Sequence, residues 1–144
     1  MIIEVKSEQD MKELGKKLGA ALKGGEVFEL IGDVGAGKTT FVKGLAQGLG
    51  IDDDVQSPSF TISRVYEGRD DLQLVHYDFY RLTDAGIMSN ELHEMVNDPQ
   101  TVTVVEWADI VEGVLPEGHI SLRITAPTET TRSVAMHNAP EVQL

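Results

Sequence analysis

Cysteine is absent from this 144-residue chain. Its absence excludes disulfides and thiolate metal sites and suits a reducing compartment, so a cytoplasmic protein is expected. Basic residues are scarce: 12 Lys and Arg stand against 24 Asp and Glu, a net charge of −12. A protein that clamps a nucleic-acid backbone by itself carries a basic face, and none is visible here. The one basic cluster, Lys12, Lys16, Lys17 and Lys23, falls on the polar side of a predicted helix and reads as a solvated face. No stretch approaches the ~20 apolar residues of a membrane span. The opening Met1-Ile2-Ile3-Glu4-Val5-Lys6 has neither a basic leader nor a long apolar core, so no signal peptide is expected. Repeats, low-complexity tracts and linkers are also missing. With 41% hydrophobic residues, the chain reads as one domain over residues 1–144 with one core.

What is present is concentrated in one segment. Gly32-Asp33-Val34-Gly35-Ala36-Gly37-Lys38-Thr39-Thr40 fits the phosphate-binding pattern G-x-x-x-x-G-K-[ST] in full. Its flanks fit too. Val27-Phe28-Glu29-Leu30-Ile31 is a short run of strand formers. Phe41, Val42, Leu45 and Leu49 recur at helical spacing before a stop at Gly50. Glycines let backbone N–H groups turn inward around phosphate oxygens, and the helix N-terminus adds partial positive charge. Residues 33–40 are therefore the candidate cradle. Lys38 is the cation for the β- and γ-phosphates, and the Thr39 hydroxyl is a ligand for Mg²⁺. A plain glycine-rich turn is the competing reading, and the two correct flanks disfavour it.

The remaining pattern alternates strands and helices. Ile2 to Val5 reads as a strand. Ser7 with Asp10 resembles a capping box with Asp in place of Glu. Met11, Leu14, Leu18, Ala21 and Leu22 then form the stripe of a helix that Gly24-Gly25 ends. Residues 60–66 and 72–79 read as a hairpin around the turn 67–71, and 83–97 as a short helix and loop. The β-branched run Thr101-Val102-Thr103-Val104-Val105 suits a strand buried on both faces of a parallel sheet. Residues 120–124 and 133–136 read as a closing antiparallel pair. The expected fold is α/β: a single P-loop NTPase-like three-layer domain with a mostly parallel central sheet and antiparallel additions.

Three further clusters bear on the site. Ser57-Pro58-Ser59-Phe60-Thr61 supplies hydroxyls where P-loop proteins keep a γ-phosphate-sensing loop, although on composition it is equally a Ser/Pro turn. In His76-Tyr77-Asp78-Phe79-Tyr80-Arg81, alternation places Asp78 near a strand end, where a carboxylate would approach Mg²⁺. Asp78 also suits a simple turn, and His76 a structural histidine. Glu106 closes the apolar run 101–105, so it faces the carboxyl edge of the sheet, the ligand edge of open α/β folds. It is a candidate to hold Mg²⁺ directly or through water, or to orient the attacking water. The competing role is an acid beside the following turn. Trp107, the only tryptophan, is a core anchor or a gate.

Taken together, these motifs resemble the TsaE family (also called YjeE), small ATPases of bacterial tRNA threonylcarbamoyladenosine synthesis. The P-loop has the family form. Ser57-Pro58-Ser59-Phe60 is similar to the family's Ser-Pro-Thr-Phe, with Ser59 departing from the usual Thr. His76-Tyr77-Asp78-Phe79-Tyr80-Arg81-Leu82 is similar to His-x-Asp-x-Tyr-Arg-Leu, and Val105-Glu106-Trp107 to Val-Glu-Trp. The resemblance implies ATP binding with Mg²⁺ and weak hydrolysis, with Lys38, Asp78 and Glu106 as catalytic candidates. Thr39 and Glu106 would hold Mg²⁺, with Asp78 close by as ligand, outer-shell group or base. It implies partners TsaB and TsaD, the latter transferring threonylcarbamoyl to adenosine 37 of tRNA, so that tRNA is met only through the complex. It also implies that Glu8 and Arg132 flank the nucleotide base.

Rival classes remain. A small-molecule kinase would need an acceptor pocket and an arginine-bearing lid, for which the chain has scant room. A GTPase would carry Asn-Lys-x-Asp and Asp-x-x-Gly, and neither string occurs. A nucleotide-dependent binding module overlaps with the family role.

Overall fold

The computed structural model describes residues 1–33, 37–56, 62–80, 82 and 86–142, the side chains of residues 87 and 112 excepted. The P-loop residues Val34, Gly35 and Ala36, the hydroxyl loop Ser57–Thr61 and Arg81 lie outside the described residues.

Strand β1 (Ile2–Val5) leads into helix α1 (Glu8–Ala21), then β2 (Val27–Ile31), α2 (Lys38–Gly48), β3 (Ser63–Glu67), β4 (Gln73–Asp78), α3 (Gly86–Val96), β5 (Thr101–Glu106), β6 (Ile120–Thr125) and β7 (Arg132–His137). Short 3-10 segments occupy Arg69–Asp71 and Ala108–Val114. The α1 N-terminus is closed as its sequence suggests. The Ser7 hydroxyl accepts from the Asp10 N–H at 3.1 Å, while the Asp10 carboxylate accepts from Lys6 N–H at 3.3 Å, one residue before the usual box position.

All seven strands form one sheet in the order β1-β7-β6-β2-β5-β4-β3. The central strands β6, β2, β5 and β4 are mutually parallel, whereas β7, β1 and β3 pair antiparallel at the flanks. Every residue of β5 is buried, which is why that strand reads as unbroken β-branched sequence. Helices α1 and α2 cover one face through Met11, Leu14, Leu18, Phe41, Val42 and Leu45 against Phe28, Leu30, Leu74, Val102, Val104 and Leu122. On the other face, α3 and the 108–114 segment pack Leu92, Val96, Ala108 and Val111 against Val75, Tyr77 and Val105. The result is one three-layer α/β domain. Among the described residues no helix is long and apolar enough to cross a membrane.

Beyond shifts of one residue at the ends of β4, β5, β6 and β7, the structure differs from expectation in three places. β3 runs Ser63–Glu67 rather than 60–66, of which 60 and 61 lie outside the described residues. The hairpin turn contains the 3-10 segment, with Asp70 and Asp71 at φ 55° and 62°. Third, α3 is a regular helix of 11 residues where a short helix and loop was expected. Met88, Leu92, Met95 and Val96 give it an apolar side, which packs into the cluster under β5.

Candidate functional site

The C-terminal ends of the parallel strands open on a cavity of about 640 Å³, within the usual size range of small-molecule sites. Five parts of the chain line it. Gly37, Lys38, Thr39 and Thr40 come from the start of α2, and Asp78, Tyr80, Glu106 and Trp107 from the ends of β4 and β5. Lys6, Ser7, Glu8 and Met11 come from the start of α1, and Glu129, Thr130 and Arg132 from the β6–β7 hairpin.

The α2 N-terminus is built for an outside acceptor. Its N-cap is Gly37, left-handed at φ 108°, and no side chain caps it. A Cβ at Gly37 would sit 3.2 Å from Met11 Cε as well as in a disfavoured conformation, so glycine is required. Among the described residues this helix end thus has no side-chain cap, and it favours anions.

Strand parity assembles the charged groups. On β4 and β5 the residues Leu74, His76, Asp78, Val102, Val104 and Glu106 share the face covered by α1 and α2, and the register sets Asp78 beside Glu106. Glu106 is 3% exposed, an unusual state for a carboxylate, and both its oxygens are engaged. Oε2 lies 2.5 Å from His76 Nε2, and Oε1 lies 3.5 Å from Lys38 Nζ. Lys38 also donates to the Gly32 carbonyl at 2.7 Å and sits 4.4 Å from the centroid of the Trp107 ring. Trp107 holds a left-handed φ of 56°, which a bulky residue adopts only under constraint. Its ring meets Tyr80 at 4.9 Å between centroids, and Tyr80 is 60% exposed at the cavity mouth. Asp78 accepts from the Tyr80 N–H at 3.0 Å, which fixes its carboxylate at the strand end. Across the cavity the Arg132 guanidinium is steadied by the Thr128, Glu129 and Thr131 carbonyls at 2.8–3.2 Å.

Of the residues singled out from sequence, Gly37, Lys38, Thr39, Thr40, Asp78, Glu106, Glu8 and Arg132 converge on this cavity. Asp33 is exposed after β2 and is not among the lining residues. Val34, Gly35 and Ala36 lie outside the described residues. Sequence reasoning missed the Lys6, Ser7, Met11, Glu129 and Thr130 walls, because they come together only when β1 and β7 pair. It read His76 as a structural histidine, and the contact with Glu106 emerges only from the β4–β5 register. Trp107 both lines the cavity and packs against the core cluster beneath β5, so the gate and the core anchor stay open. Among the described residues no three His, Cys, Asp or Glu side chains cluster to cage a metal. A hydroxyl and two carboxylates are instead the sparse oxygen set that suits Mg²⁺ shared with phosphates.

Comparison with known proteins identifies the family. Residues 5–134 match the family profile described as "Threonylcarbamoyl adenosine biosynthesis protein TsaE". The chain is 38% identical over 128 residues to the tRNA threonylcarbamoyladenosine biosynthesis protein TsaE of Streptomyces coelicolor, covering 88% of this chain and 86% of that one. Identity to the protein of the same name from Treponema pallidum is 37%, with 91% and 96% covered, and to that from Bacillus subtilis 40%, with 88% and 78% covered. The crystal structure of Bacillus subtilis YdiB superposes with a TM-score of 0.75 at 33% identity, covering 93% of this chain and 82% of that one. On sequence and on fold alike, this chain belongs to the TsaE family.

Proposed function

We propose that this protein binds ATP with Mg²⁺, hydrolyses it slowly, and works with TsaB and TsaD proteins in forming threonylcarbamoyladenosine at position 37 of tRNA. One observation carries the ATPase reading. Lys38 and Thr39, at the start of α2, line one cavity with the carboxylates of Asp78 and Glu106, and Lys38 Nζ lies 3.5 Å from Glu106 Oε1. In this reading residues 33–40 cradle the phosphates, and Lys38 exchanges its contacts with Gly32, Glu106 and Trp107 for the β- and γ-phosphates. Thr39, Asp78 and Glu106 would hold Mg²⁺, which supplies Lewis-acid neutralisation of phosphate charge when bound. The Glu106 carboxylate, fixed at the strand end, is placed to orient a water at the γ-phosphate. Glu8 and Arg132, on the far walls, flank the base. The pathway role rests on the names of the relatives, and the protein's acidity supports a division of labour in which its partners contact tRNA.

Titration calorimetry with ATP, with and without Mg²⁺, together with phosphate release alone and with TsaB and TsaD, tests this reading. Expected are Mg²⁺-dependent ATP binding, slow turnover alone, and threonylcarbamoyladenosine formation on tRNA only in the complete mixture. Transfer of phosphate to a metabolite would replace this reading with a kinase. Full tRNA modification with this protein omitted would remove the pathway role.

A further inference from the structure

His76 has no exposure to solvent and is not among the residues lining the cavity, so its ring cannot touch a bound nucleotide. It nevertheless meets a residue that does line the cavity. In the β4–β5 register His76 stands beside Val104, one step behind the Asp78–Glu106 pair. From there Nε2 reaches diagonally to Glu106 Oε2 at 2.5 Å. The other ring nitrogen, Nδ1, is buried with no partner among the described residues. A histidine kept for packing alone would be a poor choice in that position. An apolar side chain would fill the space without leaving a polar atom unsatisfied. What the imidazole adds is a single donor aimed at one carboxylate oxygen. A carboxylate oxygen accepts, so in this contact Nε2 is the donor.

We infer that His76 is a positioning residue for Glu106: its Nε2–H holds Oε2 at the back of the strand edge and so presents Oε1 to the cavity. Lys38 Nζ lies 3.5 Å from that same Oε1. Without the His76 donor the carboxylate is free to rotate, and Oε1 loses its fixed aim. Outer-shell partners of this kind change metal affinity or activity by roughly 10- to 100-fold when removed. The inference deepens the proposed ATPase reading and rests on Glu106 acting at the γ-phosphate or its Mg²⁺.

The test compares three substitutions at position 76 with Glu106→Gln. His76→Ala is expected to lower kcat about 10- to 100-fold while changing the KM for ATP far less. The amide nitrogen of Gln reaches as far as the imidazole Nε2, whereas that of Asn reaches only as far as Nδ1. His76→Gln should therefore recover most of the activity and His76→Asn should not, with thermal melting of both variants checking the fold. Combining His76→Ala with Glu106→Gln should give a loss no larger than that of Glu106→Gln alone. A readout free of turnover comes from nucleotide-free protein. Glu106 and the Trp107 ring share Lys38, so His76→Ala should shift Trp107 fluorescence and His76→Gln should restore it. Equal activity of the Gln and Asn variants, or additive losses in the double variant, would overturn the inference and leave the ATPase reading in place. Wild-type kcat in Glu106→Gln would instead overturn the assigned role of Glu106, and the inference with it.

Discussion

Lys38 is a buried cation with a carbonyl, a carboxylate and an indole face as its neighbours. In the proposed reading a triphosphate would offer it a stronger set, so that binding would exchange one group of contacts for another. Lys38→Ala is expected to lower ATP affinity at least 100-fold by calorimetry, because the phosphates lose their main cation. Thr39→Ala should spare part of the affinity but flatten its dependence on Mg²⁺. Glu106→Gln keeps the shape and removes the charge, so kcat should fall by roughly 10²–10³ with little change in binding, the scale for one preorganised stabilising group. If Asp78→Asn is inactive and Glu106→Gln is not, the two carboxylates trade roles. At this scale the sequence was highly legible. The spacing of the P-loop, the strand parity that brings Asp78 to an edge, and the acid closing an apolar run are local signals. The His76–Glu106 contact was not legible, because it depends on the register of two strands separated by α3, and register is a tertiary property.

Between elements, the close approach of α1 and α2 decides where the cavity walls stand. Gly15 and Gly19 of α1 meet Gly44 and Gly48 of α2, and each helix carries its two glycines four residues apart. A Cβ at Gly44 would lie 2.1 Å from the Lys12 carbonyl oxygen, and one at Gly48 2.3 Å from that of Lys16. Backbone against backbone cannot yield as a side chain can. Gly44→Ala should therefore destabilise the protein by about 3 kcal/mol, although alanine by itself favours a helix by about 1 kcal/mol. A fall in Tm of roughly 10 °C by calorimetry is the expected result. Gly113→Ala is the control, since nothing lies within 4 Å of a Cβ there and Tm should hold. Read in sequence, these glycines look like weak points of two helices, and only packing gives their spacing a meaning. The same junction is tied to the β3–β4 turn by Arg69, whose guanidinium caps the end of α1 at the Gly19, Ala20 and Leu22 carbonyls. On the opposite face Tyr77 is wholly buried, and its hydroxyl has no hydrogen-bond partner among the described residues. Burial, and then the Glu91 carboxylate nearby, raise its ionisation well above that of an ordinary phenol. A raised acid favours the fold while neutral. That stability is complete below the unfolded value near pH 10 and is lost as pH rises beyond it. Tyr77→Phe should match wild type within about 1 kcal/mol at pH 7, since it removes an unsatisfied group, and should shift the alkaline unfolding edge upward. Circular dichroism against pH reads both outcomes.

For the whole molecule, the net charge of −12 and the exposed Tyr80, packed on the half-buried Trp107 at the cavity mouth, set how it meets others. An acidic protein gains little from a phosphate backbone, so tRNA alone should not bind measurably at physiological salt. A protein partner can instead sense the nucleotide. Lys38 touches the Trp107 ring, Trp107 touches Tyr80, and Tyr80 is at the surface. In the proposed reading, the γ-phosphate of ATP would draw Lys38 out of that contact set and so change the aromatic pair. ADP offers one phosphate fewer at the same place. Association with a TsaB–TsaD assembly is therefore expected to be tighter with ATP or a non-hydrolysable analogue than with ADP. The size of the preference equals the differential affinity of the two states. Trp107 is the only tryptophan, so its fluorescence should report the same order of nucleotides before any partner is added. Tyr80→Ala should narrow the gap in partner affinity while leaving ATP affinity close to wild type, if the aromatic pair carries the signal outward. Ser59→Ala, in the segment Ser57–Thr61 outside the described residues, should narrow the same gap if that hydroxyl senses the γ-phosphate. Light scattering or pull-down in the three nucleotide states measures the preference. Equal association in all of them would mean that nucleotide state stays inside the cavity and that hydrolysis serves a step other than assembly.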